Sequence, residues 1–220
     1  MDYTWDFQIV IDNLPVLLRG LKVTLQLFVI AALVGVPVGL MLGVARLSPK
    51  RRVTLPAVAF IEVFRNTPVL IQLIWIYYAF PVLLGVRFTP FFAAALALSL
   101  YTAAYCAEIF RAGLQSVVRG QWEGAKALGM SRARALRRII LPQACQRMLP
   151  ALTNRMIELV KVTSLASTLA VTEVMYQGRL LSSSYYRPLE ILTVVALLYF
   201  CLIWPFSFLA ARLERRLALR

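Results

Sequence analysis

The sequence contains no histidine and little cysteine, and each shortage argues against a class of function. Without histidine among its 220 residues, the chain lacks the commonest general base and the commonest metal ligand. Its three cysteines form no CxxC pair, so neither a zinc site nor a disulfide framework is indicated. The sequence also lacks a GxxxxGK[ST] run, the phosphate-binding loop of many ATPases. We therefore predict no catalytic residue, no metal ligand and no cofactor in this chain.

Hydrophobic residues, by contrast, make up 60% of the sequence and gather in long blocks. Four blocks contain no Asp, Glu, Lys or Arg: 23–45, 66–86, 88–107 and 191–211. A helix needs about 20 apolar residues to cross the hydrocarbon core of a bilayer, so each block is long enough to span it. Little chain remains between the blocks for a soluble domain. The composition predicts an all-α membrane protein in which residues 1–220 form one transmembrane domain.

The basic residues set the expected orientation. The formal net charge is +14, but Lys and Arg lie between apolar blocks rather than on a soluble basic face, so nucleic acid is not an expected partner. Sixteen of the 24 follow the first, third and last blocks, against three in the alternate loops. The positive-inside rule then places the N-terminus outside and the C-terminus in the cytoplasm. This topology requires an odd number of spans, and the expected spans are 21–45, 56–83, 90–112, 149–172 and 189–211.

The N-terminal segment differs from a cleaved signal peptide. Asp2, Asp6 and Asp12 precede the first apolar run, whereas a signal peptide begins with basic residues. The run is also longer than the apolar region of a signal peptide. We expect it to remain as a transmembrane helix.

The expected fourth span carries charged side chains. Arg155, Glu158 and Lys161 are spaced i, i+3, i+6, which keeps them on one broad helix face, and Thr163 and Ser164 extend the polar patch. Each charge would cost about 2.5–3.5 kcal/mol facing lipid at mid-bilayer, so this face must turn toward other helices or a wet cavity. A structural ion pair between helices and a polar translocation path both fit the pattern.

The second expected span carries a similar group. Glu62 and Arg65 form an i, i+3 pair, and Pro68 removes one helical hydrogen bond in the polar stretch that follows. Opened carbonyls beside polar side chains suit a substrate path, although Glu62 fits an anchor at the inner interface equally well. For Glu108 we expect an interfacial pairing with Arg111. The candidate path residues are Glu62, Arg65, Thr67, Pro68, Gln72, Arg155, Glu158, Lys161, Thr163 and Ser164.

Residues 119–142, named here the cytoplasmic knob, have the pattern of a helical hairpin. Ala, Lys and Leu favour a helix up to residue 128, and Gly129 suits a left-handed stop. Ser131 is a good N-cap for a basic helix over 132–140, which Pro142 is expected to end. The small residues Gly124 and Ala125 would let another protein approach closely. A hairpin that simply rests on anionic headgroups is the alternative.

The knob resembles a motif of a known family. Permease subunits of binding-protein-dependent ATP-binding-cassette (ABC) importers carry E-A-A, three residues, G, nine residues and I-x-L-P. Here 123–125, Gly129 and 139–142 keep every spacing, with Gly124 in place of Ala. The stretches 64–73, 103–113 and 161–165 resemble the polar amino-acid branch of that family. Many members have Asp or Asn where this chain has Val162.

The resemblance implies a fold and a set of partners. Members are MetI-like (type I) permeases with five transmembrane helices and a cytoplasmic coupling helix. Two ATPase subunits, which hold ATP and Mg, dock on that helix, and a second identical or homologous permease completes the pore. A periplasmic or lipid-anchored binding protein delivers a polar amino acid, and the membrane is the bacterial inner membrane. The residues assigned to coupling by this resemblance are Glu123, Gly124, Ala125, Leu128, Gly129, Leu141 and Pro142.

Two other functions compete with the importer subunit. A stand-alone channel or secondary amino-acid carrier would work without ATPase subunits, but 220 residues lack the inverted repeat expected of a single-chain carrier. A membrane-embedded enzyme is disfavoured because no nucleophile–base pair stands at a recognisable spacing. The importer and the carrier differ at the knob, which only an importer subunit needs.

Overall fold

The computed structural model describes residues 3–218, with side chains up to Arg212, and this part of the chain contains helices and no β-strand. The predicted all-α class is therefore confirmed. The early helices are α1 (Gln8–Asp12), α2 (Leu14–Arg46), α3 (Arg51–Asn66), α4 (Val69–Leu84, π-helical over Trp75–Ala79) and α5 (Pro90–Gln115). The later ones are α6 (Arg119–Ala127), α7 (Arg132–Ala135, a π-helical turn at Leu136–Ile140 and Leu141–Val162), α8 (Val174–Tyr185) and α9 (Pro188–Ala218).

Within residues 3–218, three helices are long and apolar enough to cross a membrane: α2, α5 and α9 up to Arg212. They contain the expected spans 21–45, 90–112 and 189–211. The expected span 56–83 is interrupted, because α3 and α4 are separate helices that meet at an angle of 108°. The bend falls at Thr67 and Pro68, where the proline lacks an N–H for the helical ladder and disfavours helical backbone at the preceding residue. Counted as one broken span, the pair gives a fourth crossing.

The expected span 149–172 corresponds to the end of α7. The last part of α7 starts at Leu141, before the expected start at residue 149. Its α-helical geometry ends at Val162. A 3₁₀ helix follows over Thr163–Leu169 and stops at Ala170, whose φ of +58° is left-handed. A fifth crossing therefore stays a prediction.

A row of glycines joins α2 to α5. Gly35, Gly39 and Gly43 are buried at four-residue intervals, so they share one face of α2. A Cβ added at Gly35 would lie 2.6 Å from the Cβ of Thr102, and one at Gly39 would lie 2.6 Å from the Cβ of Cys106. The two backbones approach this closely only because α2 presents glycine along the contact, a device common between membrane helices.

Glu173 fastens α8 to α2 and α9. It caps α8 by accepting the backbone N–H groups of Tyr176 at 2.7 Å and Met175 at 2.9 Å. The Tyr199 hydroxyl of α9 donates to the same carboxylate at 3.0 Å, and the Thr24 hydroxyl of α2 lies 3.5 Å away. Glu173 is fully buried, and these donors satisfy it there. The sequence alone predicted no role for this residue.

Candidate functional site

The knob begins as the expected helix and turn. α6 ends in a Schellman motif: the Met130 N–H bonds the Ala125 carbonyl and the Gly129 N–H bonds the Lys126 carbonyl, both at 3.0 Å. Gly129 has a φ of +69°, the left-handed conformation predicted for it. Ser131 then caps α7 by accepting the Arg134 N–H at 3.4 Å, as predicted. The hairpin over 119–135 is therefore confirmed.

The expected stop at Pro142 is wrong. The basic segment continues through the π-helical turn Leu136–Ile140 into the long helix Leu141–Val162. Pro142 closely follows that π-helical turn, so its missing N–H falls where the hydrogen-bond ladder already changes register. The knob is consequently continuous with the helix that carries Arg155 and Glu158.

The tip of the knob is exposed, whereas its base packs against the rest of the protein. Leu128 is 79% exposed at its tip, and Glu123 pairs with Arg119 at 3.1 Å on the outer side. Beneath them, Val117, Ile140 and the neighbouring apolar residues form a small core against the end of α5. A cleft of about 810 Å³ lies between α6 and α7 and is lined by Arg119, Trp122, Glu123, Lys126, Met130, Arg132, Ala133, Ala135 and Leu136. Of the other resemblance-assigned residues, Gly124, Leu141 and Pro142 are exposed and Ala125 is buried.

Arg155 is buried and lies against two neighbouring aromatic rings. Its guanidinium carbon is 4.2 Å from the ring centre of Tyr101 and 4.1 Å from that of Tyr105, both on α5. Its Nη1 donates to Glu158 at 3.0 Å, and the Tyr101 hydroxyl donates to the other oxygen of that carboxylate at 3.4 Å. The sequence predicted the Arg155–Glu158 pair but not the two tyrosines, which stand i, i+4 on one face of α5.

A second cluster of charges surrounds Glu108, nearer the C-terminal end of α5. Arg111 donates to this carboxylate through Nε and Nη2, which confirms the predicted i, i+3 pair. Arg46 of α2 also contacts Glu108, and Arg65 of α3 lies 3.7 Å from it. The predicted Glu62–Arg65 pair is wrong, since Glu62 lies instead 3.8 Å from Arg46. One carboxylate thus joins α2, α3 and α5, which no i, i+3 pattern within a single helix can reveal.

The polar residues after α3 hold the bend. The Gln72 amide donates to the carbonyl of Phe64 at 2.8 Å and to the carbonyl and hydroxyl oxygens of Thr67 at 2.9 and 2.8 Å. At the bend the two backbone carbonyls have no helical N–H partner, because Pro68 has no N–H and the chain changes direction. Gln72 is buried, with 6% of its surface exposed, and its side chain replaces part of the missing helical ladder.

The remaining candidates lie apart from Arg155. The Thr163 and Ser164 hydroxyls donate to backbone carbonyls of their own helix, at 2.7 Å each. Lys161 is exposed and lines a separate groove of about 520 Å³ between the end of α7, α8 and α9. The i, i+6 spacing therefore does not bring Lys161 to the Arg155–Glu158 pair, because it turns the side chain by about a third of the helix circumference.

The two clusters are connected through Tyr105. Its ring centre is 4.1 Å from the guanidinium carbon of Arg155 and 5.5 Å from that of Arg65. The path from Glu62 and Glu108 to Arg155 is therefore a continuous series of contacts between polar and aromatic groups. It joins the bend in the α3–α4 pair to the helix that continues into the knob.

Comparisons with known proteins agree with this architecture. The Arginine transport system permease protein ArtQ of Bacillus subtilis (strain 168) is 35% identical over 212 residues, which cover 96% of this chain and 97% of that protein. The Glutamine transport system permease protein GlnP of Escherichia coli (strain K12) is 37% identical over 214 residues, 97% of this chain and 98% of that protein. A crystal structure of an amino acid ABC transporter with histidines matches with a TM-score of 0.91 and 37% identity, covering 97% of this chain and 100% of that one.

A family model, "Binding-protein-dependent transport system inner membrane component", matches residues 35–219. The match includes the knob, the Glu108 cluster and the helix that carries Arg155. The chain therefore belongs to the family of binding-protein-dependent transport system inner membrane components.

Proposed function

We propose that this chain is the transmembrane subunit of an ABC importer that carries a polar amino acid into the cell. Two ATPase subunits dock on the knob and supply ATP hydrolysis, since the chain has no phosphate-binding loop. A second permease, identical or homologous, completes the path, and a periplasmic or lipid-anchored binding protein delivers the amino acid. In this arrangement the N-terminus is outside and the C-terminus is cytoplasmic.

The observation that carries the proposal is the continuity of the knob with the charged helix. α7 starts at the capped turn after Gly129 and reaches Arg155 and Glu158 without a break in the helical run. Force applied at the tip of the knob can therefore move the mid-membrane pair, because a helix transmits displacement along its axis. The names of the relatives, which specify arginine and glutamine transport, support a polar amino acid as the substrate.

The test is uptake by the reconstituted complex. The chain is purified with its ATPase subunits, placed in proteoliposomes, and supplied with its binding protein, ATP and a panel of radiolabelled amino acids. We expect ATP-dependent accumulation of at least one polar amino acid. Accumulation without ATPase subunits, driven by an ion gradient, would favour the secondary carrier.

The knob variant separates coupling from folding. Glu123→Lys combined with Gly129→Asp is expected to abolish uptake and transport-linked ATP hydrolysis, because it reverses one charge and adds another at the turn of the docking surface. The variant protein should still insert in the membrane. The matched control is Arg179→Gln, an exposed residue on α8 far from the knob. Full uptake by the double variant contradicts ATPase docking at this site.

A further inference from the structure

Arg155 has hydrogen-bond donors that the protein leaves unused. Only 3% of its side chain is exposed, yet its Nε and Nη2 have no hydrogen-bond partner within the described residues. Buried polar groups almost always find partners, and an unpaired donor on a charged group is among the most costly exceptions. The two tyrosine rings stabilise the positive charge through their faces but do not accept in-plane N–H bonds.

The unused donors have a definite shape. Nε–H and Nη2–H lie along one edge of the planar guanidinium and point in nearly parallel directions, the arrangement that binds a carboxylate through both its oxygens. The opposite part of the group, Nη1, already donates to Glu158. Arg155 is therefore held in orientation by one carboxylate of the protein, while the donors on its other edge have no partner among the described residues.

Glu158 supplies the complementary charge. About half of its side chain is exposed, so the carboxylate has room for another donor beside Arg155 and Tyr101. The ammonium and carboxylate groups of an α-amino acid are attached to the same carbon. Neighbouring sites for an anion and a cation, 3.0 Å apart at their own contact, match that spacing.

We propose that Arg155 binds the α-carboxylate of the transported amino acid and that Glu158 binds its α-ammonium group. This inference rests on the proposed function and adds the chemical feature that the membrane site selects. The recognised class is the zwitterionic head group of a free amino acid, whichever side chain it carries. The Nε–Nη2 edge is covered in this conformation, so binding requires a side-chain movement that exposes it.

The experiment measures binding to the purified permease–ATPase complex without the binding protein, whose own selectivity would otherwise mask that of the membrane site. The probes are the amino acid that the wild-type complex accumulates and the carboxamide of the same amino acid. We expect the wild-type complex to bind the free acid more tightly, on the order of 100-fold. The carboxamide has one oxygen in place of two, so it cannot accept from both Nε–H and Nη2–H of Arg155. Equal binding of the two probes overturns the inference, and this comparison needs no variant that must fold.

Variants then assign the selectivity to a side chain. Arg155→Gln should lose the discrimination between acid and carboxamide. Arg155→Lys should keep only part of it, because lysine lacks the two parallel N–H donors of the guanidinium. Glu158→Gln should weaken binding of both probes while leaving their ratio unchanged. Arg179→Gln, which removes an arginine from an exposed position on α8, should bind like the wild type.

The outcomes separate this inference from the proposed function. A wild-type complex that accumulates no amino acid refutes the importer, and the inference with it. A complex that accumulates an amino acid, but whose folded Arg155→Gln variant still discriminates acid from carboxamide, refutes only the role of Arg155. In that case the Arg155–Glu158 pair is a structural contact between helices.

Discussion

Two glutamates of the same chain pair with arginine in very different surroundings. Glu108 has 16% of its side chain exposed and meets Arg46, Arg65 and Arg111, whereas Glu123 has 66% exposed and, among the described side chains, pairs with Arg119. Removing one partner of a fully buried pair costs roughly 3–5 kcal/mol and an exposed pair contributes about 0–1 kcal/mol, so the part-buried Glu108 lies between these limits. Loss of the carboxylate should therefore lower the stability at position 108 and leave it nearly unchanged at position 123.

We predict that Glu108→Gln lowers the thermal unfolding midpoint of the detergent-purified complex by several degrees, because three arginines lose their shared counter-charge. Glu123→Gln is the matched control and should unfold at the wild-type temperature. Equal midpoints for the two variants would mean that the Glu108 cluster does not hold α2, α3 and α5 together.

Gly129 permits a prediction about the turn of the knob. Its φ of +69° strains any residue with a β-branched side chain, at a cost of roughly 1–2 kcal/mol or more, whereas Asn tolerates this region. Gly129→Asn should retain most ATP-driven uptake, and Gly129→Val should lose most of it while the protein still reaches the membrane. Similar uptake by both variants would show that the turn geometry is not required.

Residue-level pattern predicted those contacts that lie within one helix. The Arg155–Glu158 and Glu108–Arg111 pairs follow from i, i+3 spacing, and the Gly129 turn follows from glycine's access to positive φ. The Glu62–Arg65 pair failed because charges on neighbouring helices compete for the same partners. The contacts of Tyr105 with arginines were not predicted for the same reason, because they depend on which helices pack against α5.

At the scale of elements, the contact between α2 and α5 depends on the absence of side chains. A Cβ at Gly39 would stand 2.8 Å from the Ala103 carbonyl oxygen, which is backbone and cannot move aside. Overpacking of this kind typically costs about 1–3 kcal/mol. We predict that Gly39→Val lowers the unfolding midpoint and reduces the yield of assembled complex. The control is Met41→Val, because Met41 lies on α2 and is 71% exposed. A Gly39→Val variant as stable as the wild type would refute close packing here.

The bend between α3 and α4 gives a second prediction for an element. Gln72→Leu keeps the approximate size of the side chain but leaves the carbonyls of Phe64 and Thr67 without their donor, a loss of about 1–3 kcal/mol. The variant should unfold at a lower temperature and bind the transported amino acid with unchanged affinity. Unchanged stability with weakened binding would instead place Gln72 in the substrate path.

The sequence predicted elements well where one helix is apolar along its whole length. The spans in α2, α5 and α9 were found because about 20 consecutive apolar residues allow no other placement. The helix α8 was missed because it is short and of mixed composition, and Glu173, its N-cap, shows no pattern before its partners on α2 and α9 are known. The bend at Pro68 was foreseen as a local opening, but its 108° angle is set by packing.

For the whole molecule, orientation follows from the distribution of charge and can be checked with the native cysteines. Cys145, at the cytoplasmic end of α7 in the proposed topology, is exposed, and Cys106 is buried. A membrane-impermeant maleimide should label Cys145 in inside-out vesicles and not in sealed right-side-out cells or spheroplasts. A Cys145→Ser variant is the control for reaction at the other thiols. Labelling of Cys145 from the outside would reverse the topology.

Cross-linking from the tip of the knob tests the account most directly. Leu128→Cys, at a position that is 79% exposed, is combined with Cys145→Ser and Cys201→Ser, and a short photoactivatable cross-linker is attached at residue 128 in the intact membrane complex. The same label at Leu83→Cys, exposed at the end of α4, serves as the control. We predict a covalent adduct between residue 128 and a nucleotide-binding subunit, with none from residue 83. If residue 128 yields no such adduct in a complex that still transports, the knob does not couple ATP hydrolysis to the helix that carries Arg155.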